Sequence, residues 1–78
     1  MVIVTMKGKD NLATQELEKN YERRLKPELE IYGIDIIKEQ IGDTEVTFQI
    51  NGSTPIGAFK KVTKVLDYRY KFEIEYVG

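Results

Sequence analysis

An α+β fold, with four antiparallel strands carrying two helices on one face, is predicted by three features of the 78-residue sequence. Four short stretches carry strand-type patterning, two carry apolar residues at three-to-four-residue spacing, and their order is strand, helix, strand, strand, helix, strand. A chain of this length has room for one core, so residues 1–78 are expected to form a single domain.

Each element has a local reason. Val2, Ile3, Val4 and Thr5 are β-branched and the run stops at Gly8, which suits a central strand apolar on both faces. Asp10 or Asn11 can cap a helix whose seam is Ala13, Leu17, Tyr21 and Leu25, continuing to Leu29 and Tyr32. Pro27 interrupts that pattern, because its ring clashes with the Arg23 carbonyl, so the helix either kinks there or ends near Lys26. Gly33 supplies a left-handed terminator, and "IDIIKEQI" follows as a strand with imperfect alternation.

Gly42 and Asp43 fit a two-residue hairpin with positive φ at the glycine. "TEVTFQI" alternates with Val46, Phe48 and Ile50 inward. Thr54 as cap and Pro55 at the first position begin a second helix with Ile56, Phe59, Val62, Val65 and Leu66 inward and Lys60, Lys61 and Lys64 outward. "YKFEIEY" is the last strand-like run, with Tyr70, Phe72, Ile74 and Tyr76 inward.

This order is the split βαβ, or ferredoxin-like, arrangement. The first and third strands are expected to be parallel neighbours in the middle of the sheet, each feeding a helix, so that the loops "KGKD" and "NGST" lie side by side.

Composition excludes several chemistries. The chain has no cysteine and no histidine, which removes disulfides, thiolate nucleophiles, the usual zinc ligands and the usual general base. A net charge of −1 gives no global attraction to nucleic acid or acidic membranes. "MVIV" is too short for a signal core, and no run approaches the ~20 apolar residues of a membrane span, so a cytoplasmic protein is expected. No catalytic group, metal site or cofactor is indicated.

Two surfaces remain as candidates. The first is an anion or nucleotide site at the paired loops, built from Lys7, Gly8, Lys9, Gly52, Ser53, Thr54, Lys60 and Lys61, where two helix N-termini would meet. Asp10 stands against it, since a carboxylate there already complements the first helix. The second is an interaction surface of Ile3, Ile34, Ile36, Ile37 and Ile41. These isoleucines cannot all face one helical layer, so a bulge redirects some of them or a partner, a second copy included, covers the open face.

Other features read more plainly. "KKVTKVLDYRYKF" mixes basic and aromatic residues, which would suit stacking of single-stranded nucleic acid. Tyr70 and Phe72 fall inward, however, and the central open-face positions Ile3, Thr5, Thr47 and Gln49 carry no aromatic ring. The charges between Glu16 and Glu30 suit a solvated helix face, with Arg23, Arg24 and Tyr21 as anchors should that face dock a protein. Glu73 and Glu75 share a face but read as solvent-facing strand positions.

The segment "VTFQINGSTPIGAFKKVTKVLDYRYKFEIEYVG", residues 46–78, resembles the ferredoxin-like domain of phage- and plasmid-associated proteins of unknown function. In that family a strand, a short polar loop with proline, a helix and a last strand with aromatic and acidic residues follow one another. The resemblance implies an accessory protein and assigns no site. The expected function is therefore a non-catalytic domain that binds another protein or itself, with anion or nucleic-acid binding as the alternative.

Overall fold

A computed structural model describes residues 1–51 and 56–77. Strands β1 (Val2–Gly8), β2 (Ile36–Ile41), β3 (Glu45–Ile50) and β4 (Tyr70–Tyr76) form one sheet in the order β2-β3-β1-β4, every neighbouring pair antiparallel. Helix α1 runs through residues 11–31 and helix α2 spans Ile56–Thr63. The fold is ferredoxin-like, as the order of elements predicts.

The core lies between the helices and one face of the sheet. Val2, Val4 and Met6 of β1, Val46, Phe48 and Ile50 of β3, and Tyr70 of β4 point into it. Ala13, Leu17, Tyr21, Leu25 and Leu29 of α1 cover one side, and Phe59, Val62 and Leu66 the other. The Tyr21 and Phe48 rings lie 5.6 Å apart and those of Phe48 and Phe59 6.4 Å apart, so an aromatic line joins α1, β3 and α2.

Helix α1 is not uniformly α-helical. Asp10 caps it, its Oδ1 accepting from the Ala13 N–H at 2.7 Å. After Asn11–Gln15 and Leu17–Asn20 comes a π turn at Tyr21–Leu25, where the Lys26 N–H donates to the Tyr21 carbonyl, and α-helix resumes over Lys26–Ile31. The five buried residues of the seam recur every fourth position, and at 3.6 residues per turn each such step drifts by about 40° around the helix. A widened turn takes up that drift and keeps Leu29 on the face that begins at Ala13. It also admits Pro27, so the helix passes the proline and ends instead at Gly33 (φ 70). There the Gly33 N–H bonds the Glu30 carbonyl and the Ile34 N–H bonds that of Leu29, with Ile34 and Leu29 both buried.

Several expectations are corrected. β1 and β3 are antiparallel, with Val2 opposite Ile50 and Lys7 opposite Glu45. The crossover through α1 returns β2 parallel to β1, and the following hairpin reverses β3. The β2–β3 hairpin turns at Asp43 and Thr44, since Ile41 pairs with Val46 and the Gly42 N–H donates to the Glu45 carbonyl. Among the described residues only Gly33 has positive φ; Gly42 instead lets the strands approach, its missing Cβ lying 3.0 Å from the Glu45 oxygen. Helix α2 stops before Val65, because three-residue turns (Val65 N–H to Val62, Leu66 N–H to Thr63) tighten the chain and leave Val65 exposed. The predicted cap at Thr54 and Pro55 lies outside the described residues.

Candidate functional site

A cleft lies between the second half of α1 and the edge strand β2. Its local cause is a bulge: Ile36 pairs with Ile50 and Lys38 with Gln49, so Ile37 has no partner on β3. One extra residue changes which side chains share a face. Ile36, Glu39 and Ile41 stand opposite the core residues Ile50, Phe48 and Val46, whereas Lys38 and Gln40 stand opposite Gln49 and Thr47 on the open face. Ile37 is left 61% exposed.

Glu39 is thereby brought to the π turn. The Tyr21 hydroxyl donates to Glu39 Oε2 at 2.5 Å, and Lys26 Nζ lies 3.1 Å from the same oxygen and 3.4 Å from Glu22 Oε2. Lys26 Nζ also sits 5.5 Å from the centre of the Tyr21 ring. Burial, then the hydrogen bond to Glu39 and its charge, push the Tyr21 phenol above its ordinary range. The Tyr21 hydrogen bond and Lys26 hold Glu39 below the ordinary carboxylate range, and Glu39 raises Lys26.

All three shifts move titration away from neutrality. Tyr21 stays protonated, Lys26 charged and Glu39 ionised, so none is suited to trade a proton at pH 7. The cluster is a brace that ties β2 to α1. Beside it open two adjoining hollows, one of about 240 Å³ lined by Lys26, Ile36, Ile37, Lys38 and Glu39, the other of about 390 Å³ lined by Leu29, Glu30, Ile34 and Asp35 together with Lys26 and Ile36. Lys26 and Ile36 line both.

The structure describes part of the expected anion site. Lys7 and Gly8 lie at the end of β1 opposite Glu45, whereas Ile50, which leads into residues 51–55, stands opposite Val2 at the other end. Lys7 and Gly8 therefore lie at the opposite end of the β1–β3 pair from Ile50. Lys7 lies 3.7 Å from Glu45 and 3.8 Å from Glu73, and Asp10 occupies the start of α1. Gly8 has a packing role, since a Cβ there would fall 2.4 Å from Thr14 Oγ1 and 2.6 Å from the Thr14 nitrogen. The Lys9 N–H donates to the Arg69 carbonyl; Lys60 and Lys61 are exposed on α2; Gly52, Ser53 and Thr54 lie outside the described residues.

The isoleucine surface is likewise divided. Ile34 is buried, Ile36 packs against the core, Ile41 stands on the helical side, and Ile3 lies on the open face between Gln49 and Glu75. The bulge, rather than a covered open face, is what resolves the broken alternation. Tyr21, expected as a docking anchor, is fully buried, and Tyr70 is too. The Tyr70 hydroxyl accepts from Asn20 Nδ2 at 2.6 Å and donates to the Ala13 carbonyl at 2.7 Å. Glu39 escaped the sequence reading, because its face depends on the bulge.

No family model matches the sequence, and no curated protein matches it. Among solved structures the chain is similar to E. coli aspartokinase III in complex with lysine and aspartate (T-state), at 9% identity and a TM-score of 0.69. The match covers 95% of this chain and 16% of aspartokinase III, so this chain spans about a sixth of that enzyme's length. At that identity the likeness concerns the fold. Among the described residues no group of acidic side chains could hold a metal ion, and no helix is long and apolar enough to cross a membrane.

Proposed function

We propose that this chain is a non-catalytic, cytoplasmic ferredoxin-like domain that acts by binding another protein at the cleft between α1 and the bulged strand β2. The observation that carries the reading is Ile37, a branched apolar side chain left 61% exposed by the bulge at the rim of a hollow whose floor includes Ile36. Apolar surface of this kind, rimmed by Lys26, Lys38 and Glu39, has the composition of a protein contact: an apolar centre inside a charged border. The proton-locked brace beneath it supports a binding role over a catalytic one. The resemblance of residues 46–78 supports an accessory role in a phage or mobile element.

A photo-crosslinking residue at position 37, with one at exposed Lys19 as control, tests this in the source cell. A discrete protein adduct from position 37 that survives high salt and is lost in Ile36→Lys is the expected result. Labelling equal to that at position 19, or an adduct to nucleic acid that disappears as salt rises, overturns it.

A further inference from the structure

The opposite edge of the sheet carries a different pattern. β4 runs through seven residues in unbroken register with β1, and it has no bulge and no proline. At the ends of this ladder the Met1 amino group and the Val77 N–H each bond the other residue's carbonyl, and the Lys9 N–H bonds the Arg69 carbonyl. Hydrogen-bonded pairs alternate in an antiparallel ladder, so the odd-numbered residues of β4 turn their backbone towards β1. Phe72, Ile74 and Tyr76 turn theirs outward, along the free edge. The Tyr70 N–H is taken by the Leu66 carbonyl.

The side chains along this strand form a charge-inverted palindrome about Phe72. On one side stand Lys71 and Tyr70, on the other Glu73 and Ile74. We propose that a second copy of this chain docks here, the two β4 strands pairing antiparallel with Phe72 on the twofold axis, to give a continuous eight-stranded sheet. In this register each Phe72 N–H meets the partner's Phe72 carbonyl and each Ile74 N–H meets the partner's Tyr70 carbonyl. Lys71 then stands opposite the partner's Glu73, at the closer, non-hydrogen-bonded positions of the new ladder.

Charge selects this register over its neighbours. An axis at Glu73 sets that carboxylate against itself, and an axis at Ile74 sets Glu73 against the partner's Glu75. Only the Phe72 axis matches both charged pairs while using the outward backbone of β4. The Lys71 side chain is 69% exposed and 3.7 Å from its own Glu73, so it is free to swing across the axis. Phe72 and Ile74 are only partly buried, and pairing covers what remains open. Strand β2 offers no such match, because its outward backbone is interrupted at Ile37 and Lys38 lies in its middle. The proposal is independent of a partner at β2, and it leaves the two α1–β2 clefts at the far ends of the dimer.

Sedimentation equilibrium with charge variants tests it, with far-UV circular dichroism as the check that each variant is folded. The expected result is a concentration-dependent species of twice the 9.1 kDa chain mass. Lys71→Glu and Glu73→Lys, each creating two like-charged contacts by symmetry, weaken it by about tenfold or more, and the double swap restores it. The chain has no cysteine, so an equimolar mixture of Lys71→Cys and Glu73→Cys chains reports register directly, and the mixed disulfide dominates. A chain still monomeric at about 1 mM overturns the proposal. So does a dimer indifferent to both charge variants, or a preponderance of either same-residue disulfide.

Discussion

β4 lies along β1 in an unbroken register of seven pairs, from Val2 with Tyr76 to Gly8 with Tyr70, whereas β2 loses its register on β3 at Ile37. The two edges are also tied to the helical layer by different chemistry. β4 is fixed by a buried and fully satisfied network, Asn20 to Tyr70 to the Ala13 carbonyl. β2 is fixed by a half-exposed ionic brace, Tyr21 and Lys26 on Glu39. A regular edge with neutral buried anchors suits permanent strand pairing. An irregular edge with a charged brace and an ejected isoleucine resists strand pairing and presents side chains instead.

The sharpest way to break this contrast is to remove one hydroxyl from each edge. Tyr70→Phe leaves the buried Asn20 amide and the Ala13 carbonyl without their shared partner, and it is expected to cost about 2 to 3 kcal/mol. Urea unfolding followed by circular dichroism would read this as a lower midpoint at unchanged slope. Tyr21→Phe removes a donor from a carboxylate that keeps Lys26 and reaches water, so about 1 kcal/mol is expected. Equal costs, or the reverse order, would mean that the β2 brace is as structural as the β4 network.

Deleting Ile37 probes the bulge itself. Ile36 already stands opposite Ile50 and Lys38 opposite Gln49, so the shortened strand keeps every remaining side chain on its present face. Stability is expected to change by less than about 1 kcal/mol, because the lost residue is largely exposed. The edge, however, becomes regular. New association through β2, seen as a rise in sedimentation mass that Glu73→Lys does not suppress, is the expected consequence. A deletion variant that unfolds would show that the bulge is required for the fold rather than for the surface.

Much of this architecture is legible in the chain, and the failures have physical causes. Asp10, Gly33 and the alternation of β3, and of β4 as far as Ile74, act locally, so their roles follow from a few neighbouring residues, whereas Tyr76, expected inward, is exposed. The antiparallel β1–β3 pair is also implied by the element order, through one crossover and one hairpin, and without that reversal the ends of β1 and β3 that the sheet keeps apart are expected side by side. The π turn had a signature too, in apolar residues spaced strictly by four through Leu29 despite Pro27. Glu39 had none. Simple alternation from Ile36 would place it on the open face with Ile37, and only the bulge returns it to the side of Tyr21 and Lys26.

The smallest expected effect concerns pH and isolates the β2 brace from everything else. Glu39 is held below the ordinary Glu range, first by the Tyr21 hydrogen bond and then by Lys26, so its folded form binds a proton less readily than its unfolded form. A carboxylate shifted this way stabilises the fold above the unfolded value of about 4.3, and the contribution fades as pH falls through the lower, folded value. Glu39→Gln keeps an acceptor for Tyr21 but removes the charge, and a loss of a few tenths to 1 kcal/mol is expected at pH 7. That difference should vanish well below pH 4, where wild type and variant converge, and it should shrink in a Tyr21→Phe background. A carboxyl NMR titration of Glu39 checks the direction independently. If Glu39 titrates normally while Tyr21→Phe still destabilises, then Tyr21 holds β2 by packing on Phe48 alone. The edge would then owe its position to the same apolar seam that orders α1, with the ionic brace serving only to shape the cleft.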